Sequence, residues 1–176
     1  MPRRRSSGPT ENGDDIQVGG CNNWPVSLDP NMRLRSATSE DAAFIVEMAR
    51  HACVIEDWPL PDADSEEVQS VLPARGGAPI VAIDAAGFSV GAVWTFHNDP
   101  PLRVDAAGVS LPELCIGVAP GMRGRGVGGA LLDALFARNA GTIEALCTNV
   151  HVRKAWATTQ HEATGGGQGL HSRRFI

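Results

Sequence analysis

Between Pro112 and Asn139 the chain runs from a short apolar strand, Leu114-Cys115-Ile116-Gly117-Val118, into a loop of alternating arginine and glycine and then into a helical pattern. This order constrains the fold more than any other stretch. A turn at Ala119-Pro120-Gly121 breaks the strand, and the loop spans Arg123 to Gly129. Val127, Leu131, Ala134 and Leu135 then recur at the three- and four-residue spacings of one helix face. The first turn of a helix carries N–H groups without intrahelical acceptors, and its dipole favours negative charge. Glycines at 124, 126, 128 and 129 let an anion reach those groups without meeting a Cβ. Arg123 and Arg125 add positive charge and forked donors suited to phosphate oxygens. No acidic side chain stands at the helix start to compete for the amides. A plain glycine turn before a core helix would not call for arginines interleaved with the glycines.

Around this stretch, the length of 176 residues suits one domain, with 43% hydrophobic residues to form a core. A net charge of -5 argues against general nucleic-acid affinity, and no apolar run reaches the roughly 20 residues of a membrane span. Cys21, Cys53, Cys115 and Cys147 form no CxxC pair, and no His/Cys cluster has ligand spacing, so reduced thiols and no metal are expected.

Residues 1–31 are rich in Pro, Gly, Ser, Asn and Asp without hydrophobic period and read as a disordered leader. Arg3-Arg4-Arg5 is followed by no apolar segment, so no targeting signal is assigned and a cytoplasmic location is expected. Met32, just before the first patterned segment, is read as the initiator. A strand from Met32 to Ala37 leads to Thr38-Ser39-Glu40-Asp41, which has the form of a capping box. Ala42, Ile45, Ala49 and Ala52 mark the buried face of the following helix. An acidic, proline-broken loop with Trp58 precedes a short helix ending at Val68–Leu72. Pro79–Asp84 and Phe88–Phe96 form a hairpin about Ala85-Ala86-Gly87. Thr142 to Val152 reads as a strand parallel to Leu114–Val118, joined through the helix as a right-handed crossover.

The segment Arg123-Gly124-Arg125-Gly126-Val127-Gly128 fits (Gln/Arg)-x-x-Gly-x-(Gly/Ala), the acyl-CoA signature of GNAT-type N-acetyltransferases. Val118-Ala119-Pro120 before it and Ala130-Leu131-Leu132 after it strengthen the resemblance, which extends more loosely from Met32 to Val152. It implies an α/β (α+β) fold: a mixed, mostly antiparallel central sheet with helices on both faces and a β-α-β acyl-CoA site. The expected division is a leader (1–31), a GNAT-like acyltransferase domain (32–152) and an irregular tail (153–176). The implied reaction is attack by a primary amine of a small molecule or protein on acetyl-CoA. The implied cofactor contacts are Ile116, Gly117, Val118, Arg123, Gly124, Arg125, Gly126, Val127, Gly128 and Gly129. The strand residues would pair with the pantetheine arm, in the gap where the two parallel strands splay, and offer N–H groups to the thioester oxygen.

Glu113, at the start of that strand, is the candidate general base, with a plain strand-end carboxylate as the alternative. Glu56 and Asp57 follow as further candidates, and His97 is weighed as a catalytic group against a hydrogen-bonded loop histidine. The acidic, Trp-bearing loop borders the acceptor site in the family and is read either as a lure for a cationic amine or as a solvated surface. The expected partners are therefore acetyl-CoA and an amine acceptor, without nucleic acid or membrane.

The resemblance stops near Arg153. The chain has no tyrosine to act as the acid that the family often uses, and Gly165-Gly166-Gly167 breaks any helix in the tail. A shortened family member and a reading-frame shift both account for this. Either leaves closing strands missing and a sheet edge exposed to a partner, a second copy included. Two other functions stay open: a non-catalytic acyl-CoA-binding or partner-binding remnant, and a dinucleotide-binding oxidoreductase fragment. The second rests on Gly124, Gly126 and Gly129 as G-x-G-x-x-G, with Glu144 as the ribose acid.

Overall fold

A computed structural model of the chain describes residues 31–54, 58–74, 77–143 and 145–148. The leader before residue 31, Glu56, Asp57, Glu144 and everything from Asn149 onward lie outside the described residues. So do the expected end of the last strand, the tail and the missing closing strands.

Strands β1 (Arg33–Ser36), β2 (Ile80–Ile83), β3 (Ser89–Phe96) and β4 (Glu113–Val118) form one sheet in sequence order, every neighbour antiparallel. Side-chain alternation sorts the apolar residues onto two faces. Ile80, Ala82, Val93 and Leu114 meet helix α3 (Val127–Asn139), which buries Val127, Leu131, Ala134 and Leu135 as the sequence spacing requires. On the other face, Val81, Ala92, Trp94, Phe96 and Cys115 meet α1 (Ala42–Cys53) and the short α2 (Glu66–Ser70). Trp94 is buried there and its indole N–H donates to the Val71 carbonyl at 2.7 Å, tying the end of α2 to the sheet. The expected architecture, an antiparallel sheet between helices, is the one observed. The α1 stripe differs from the expected one: Ala42 is exposed, Ala52 is half-buried, and Met48 joins Ile45 and Ala49 as a buried residue.

Two strand glycines let the helices come close. A Cβ on Gly91 would lie 3.0 Å from both Leu131 and Val127 of α3. A Cβ on Gly117 would lie 2.6 Å from the Met48 carbonyl oxygen and 2.7 Å from Met48 Cβ, so α1 rests on β4 backbone. The register between β2 and β3 slips at Ala82/Ile83, and the bulge brings Val90 as well as Val93 into the α3-side core.

Asp41 fastens the N-terminal elements together. It accepts from the Thr38 amide at 2.8 Å, as the capping pattern anticipates, but it also holds the Arg35 guanidinium at 2.7 and 2.9 Å. Ser89 Oγ adds a third direction at 3.3 Å. Burial works to raise the Asp41 pKa, and the Arg35 and Thr38 bonds more than offset it, leaving the group below its ordinary value.

Candidate acyl-CoA site

A 3-10 turn, Pro120–Met122, follows β4 and delivers the chain to the arginine-glycine loop. Gly124 (φ 74°) and Gly126 (φ 80°) occupy the left-handed region, where a side chain would be strained. Gly126 is the N-cap of α3, no side chain caps that helix, and its first turn holds no acid. Gly128 and Gly129 are ordinary helical positions. A Cβ at 129 would touch nothing within 4 Å, and one at 128 would make only van der Waals contact with Val118 and Ile116. Glycine costs about 1 kcal/mol against alanine inside a helix. Nothing in the described protein requires these two, so the space over the helix start is open from outside.

Arg123 and Arg125 flank this space and are exposed. Arg123 Nε donates to the Val118 carbonyl at 3.3 Å, which anchors the guanidinium beside the strand end while its terminal nitrogens stay available. The loop, the helix start and both arginines therefore converge at the C-terminal end of β4.

β4 is paired along its whole length with β3, from Glu113 opposite Phe96 to Val118 opposite Gly91. On its other edge, among the described residues, it meets the segment around Cys147. Leu114 N–H donates to the Cys147 carbonyl (2.8 Å) and Cys147 N–H to the Pro112 carbonyl (2.9 Å), a parallel pairing of Glu113 with Cys147. The crossover through α3 returns as expected, but its pairing starts later. Thr142 and Ile143 still donate to the Asn139 carbonyl in the turn that ends the helix. Beyond Leu114 the edge at Ile116–Val118 has no strand partner among the described residues, leaving backbone groups open beside the loop.

Glu113 sits at the opposite end of β4, about 17 Å from Val118 for five residues at roughly 3.3 Å each. It is one of the few buried charged groups, 3% exposed. Asn98 Nδ2 donates to Oε2 at 3.1 Å and the Leu102 amide to Oε1 at 3.2 Å. Across the parallel pair, burial first and the Glu113 charge second push the Cys147 thiol pKa up, with Arg103 pulling the other way. Sequence reasoning offered Glu113 as a candidate and did not offer Asn98, for which no spacing or motif gave a signal.

The other sequence candidates are placed as follows. His97 is exposed, with Nδ1 3.4 Å from Ser110 Oγ, the bonded loop histidine of the plainer reading. Trp58 is 68% exposed, and Asp62, Asp64, Glu66 and Glu67 near it face solvent. Arg50 Nε donates to the Pro61 carbonyl at 2.6 Å and so ties this loop to α1. Cys53, Cys115 and Cys147 form no disulfide with one another among the described residues. Among the described residues there is no group of His, Cys, Asp and Glu that could hold a metal ion, and no helix is long and apolar enough to cross a membrane.

No family model and no curated protein matches the chain by sequence. Its likeness is to solved structures. A phosphinothricin acetyltransferase of the GNAT superfamily from Sinorhizobium meliloti, in complex with acetyl-CoA, is 25% identical with a TM-score of 0.57. That match covers 79% of this chain and 77% of that one. The structure of yncA from Salmonella typhimurium with its cofactor acetyl-CoA is 24% identical (TM-score 0.54, covering 77% and 79%). A GCN5-related N-acetyltransferase from Kribbella flavida is 21% identical (TM-score 0.55, covering 77% and 82%). The chain has the fold of the GNAT N-acetyltransferase superfamily, as the arginine-glycine loop led one to expect. The antiparallel strand order departs from the parallel sheet on which a dinucleotide fold is built, so the oxidoreductase alternative loses its scaffold.

Proposed function

We propose that the chain is an N-acyltransferase that moves an acetyl group from acetyl-CoA to a primary amine, with residues 32–152 as the working unit. The observation that carries this is the helix start of α3. Two glycines there serve no packing purpose, no acid or side-chain cap occupies the amides, and two exposed arginines stand beside them. That is the chemistry of a pyrophosphate cradle. Val127 belongs to it as the first helical residue, its side chain buried so that its amide faces the cradle. The structural neighbours from S. meliloti and S. typhimurium, both solved with acetyl-CoA, support the choice of ligand.

From the cradle, the pantetheine arm would extend along the open edge of β4 at Ile116, Gly117 and Val118, its amides bonding to backbone as an added strand does. N–H groups of the same stretch would receive the charge that develops on the thioester oxygen. The length of β4 brings the thioester end towards Glu113. Alkyl amines are mostly protonated near neutral pH, so a base must take a proton before the nitrogen attacks. Glu113 takes it, directly or through water. The nitrogen–carbon bond then forms, the carbon–sulfur bond breaks, and the departing CoA thiolate takes up the second proton that the nitrogen gives up in becoming an amide.

Calorimetry on the full chain tests the cofactor half: acetyl-CoA is expected to bind and NAD is not, and the reverse result overturns the proposal. Release of free CoA thiol on a panel of primary amines tests the chemical half. There, Glu113→Gln should lower kcat by about 10²–10⁴-fold. An unchanged pH–rate profile in that variant would remove Glu113 as the base, and binding without turnover would favour the non-catalytic alternative.

A further inference from the structure

The stretch between β3 and β4, residues 97–112, leaves the sheet, folds on itself and returns. Its far part is a small ribbon: Val104 bridges Ser110, and Leu111 N–H donates to the Arg103 carbonyl at 2.9 Å. The Asp105 carboxylate closes the tip by accepting from the Ala107 and Val109 amides, both at 2.8 Å. Its near part contributes both donors to the Glu113 carboxylate, one to each oxygen. The two anchors are independent of each other in kind, a side-chain amide from Asn98 and a backbone N–H from Leu102.

We infer that Asn98 is a positioning residue for the proposed base, holding the buried Glu113 carboxylate aimed while leaving it room to accept a substrate proton. The inference rests on Glu113 being the base. An ionised carboxylate offers about four lone-pair sites. Asn98 and Leu102 occupy one on each oxygen, so acceptor capacity remains for an amine or a water. A buried carboxylate without such donors is driven towards its neutral form, and a donor to the charged form opposes that drift. Asn98 is well placed for the task, because it follows Phe96, the register partner of Glu113, by two residues. The backbone of β3 thus sets where its amide falls. The Leu102 amide cannot be altered by ordinary substitution, which makes Asn98 the adjustable half of the clamp. Among the described residues, the Cys147 thiol on the parallel segment feels the Glu113 charge, and Arg103 on the ribbon acts on that same thiol.

The test uses the full chain and two variants. Asn98→Ala removes the donor. Asn98→Asp keeps the shape but replaces the donor by an acceptor and, when ionised, a like charge. Carbon NMR of labelled glutamate carboxyls, with the Glu113 signal assigned by its loss in Glu113→Gln, follows the titration without any substrate. Its midpoint should rise by about one pH unit in Asn98→Ala, and at least as far in Asn98→Asp. With an accepted amine, the acidic limb of the kcat profile should move up with it, kcat near neutral pH should fall about tenfold, and KM for acetyl-CoA should stay constant. Asn98→Ser, which retains a short donor, should recover part of the shift. An unmoved NMR midpoint in both variants overturns the inference, as does a kcat loss equal at every pH. Failure of Glu113→Gln to affect turnover would instead overturn the base assignment, so the two failures are distinguishable.

Discussion

Gly117 and Gly129 lie on either side of one turn and do opposite things. At Gly117 the missing side chain is replaced by protein: α1 backbone sits where a Cβ would be, 2.6 Å from the Met48 carbonyl oxygen. At Gly129 the missing side chain is replaced by nothing within 4 Å. Close packing is the rule inside proteins, and a glycine under a helix is one way to reach it. A glycine in a first helical turn costs about 1 kcal/mol and here returns no contact. The strand glycine is thus explained by the fold, while among the described residues nothing accounts for the helix glycine. The same residue type marks a scaffold on one side of the turn and, in the proposed function, a ligand surface on the other.

Breaking the scaffold side should have the largest effect. Gly117→Val forces atoms into α1 backbone, and overpacking of this kind costs about 3 kcal/mol or more when the obstacle is main chain. Urea unfolding should show a much lower midpoint; a midpoint within error of the parent would mean α1 does not rest on β4. Asp41→Asn comes next. Loss of its buried pair with Arg35 should cost about 3 kcal/mol near neutral pH. The folded-state pKa of Asp41 is depressed, so its stabilisation is present above the unfolded carboxylate value and is lost as pH falls through the folded one. The parent should therefore lose stability on acidification below about pH 4, and the Asn variant should show a flatter curve there. Equal acid sensitivity would remove Asp41 from the scaffold.

The smallest effect on folding, and the sharpest on the comparison, belongs to Gly129→Ala. It should stabilise the chain by up to about 1 kcal/mol. Acetyl-CoA should nonetheless bind about tenfold more weakly in calorimetry, which corresponds to about 1.4 kcal/mol. Unchanged affinity would make Gly129 as indifferent to the ligand as it is to the protein.

Much of this was legible in the chain itself. The α3 face of Val127, Leu131, Ala134 and Leu135 follows from periodicity alone, because a helix must turn one stripe towards a core. The hairpin about Gly87 (φ 90°) follows from turn chemistry, with Asp84 Oδ1 accepting from the Ala86 and Phe88 amides, both at 2.9 Å. The arginine-glycine loop identified its own helix start, since spacing, charge and absence of an acid are all local properties.

What only the tertiary structure decided are meetings between distant residues. Ser89 reaches Asp41 across 48 positions, and Arg35 joins them to complete a pin that the capping pattern alone did not disclose. Gly117 looked like a cofactor contact, and its close approach to Met48 appears only when α1 is laid on the sheet. Asn98 and Leu102 converge on Glu113 because β3 and β4 fall into one register and the chain between them folds back. Local pattern sets which segments are strand, loop or helix, since backbone geometry imposes a period on side chains. Which side chains then share a site depends on register and packing, and these leave no period in the sequence.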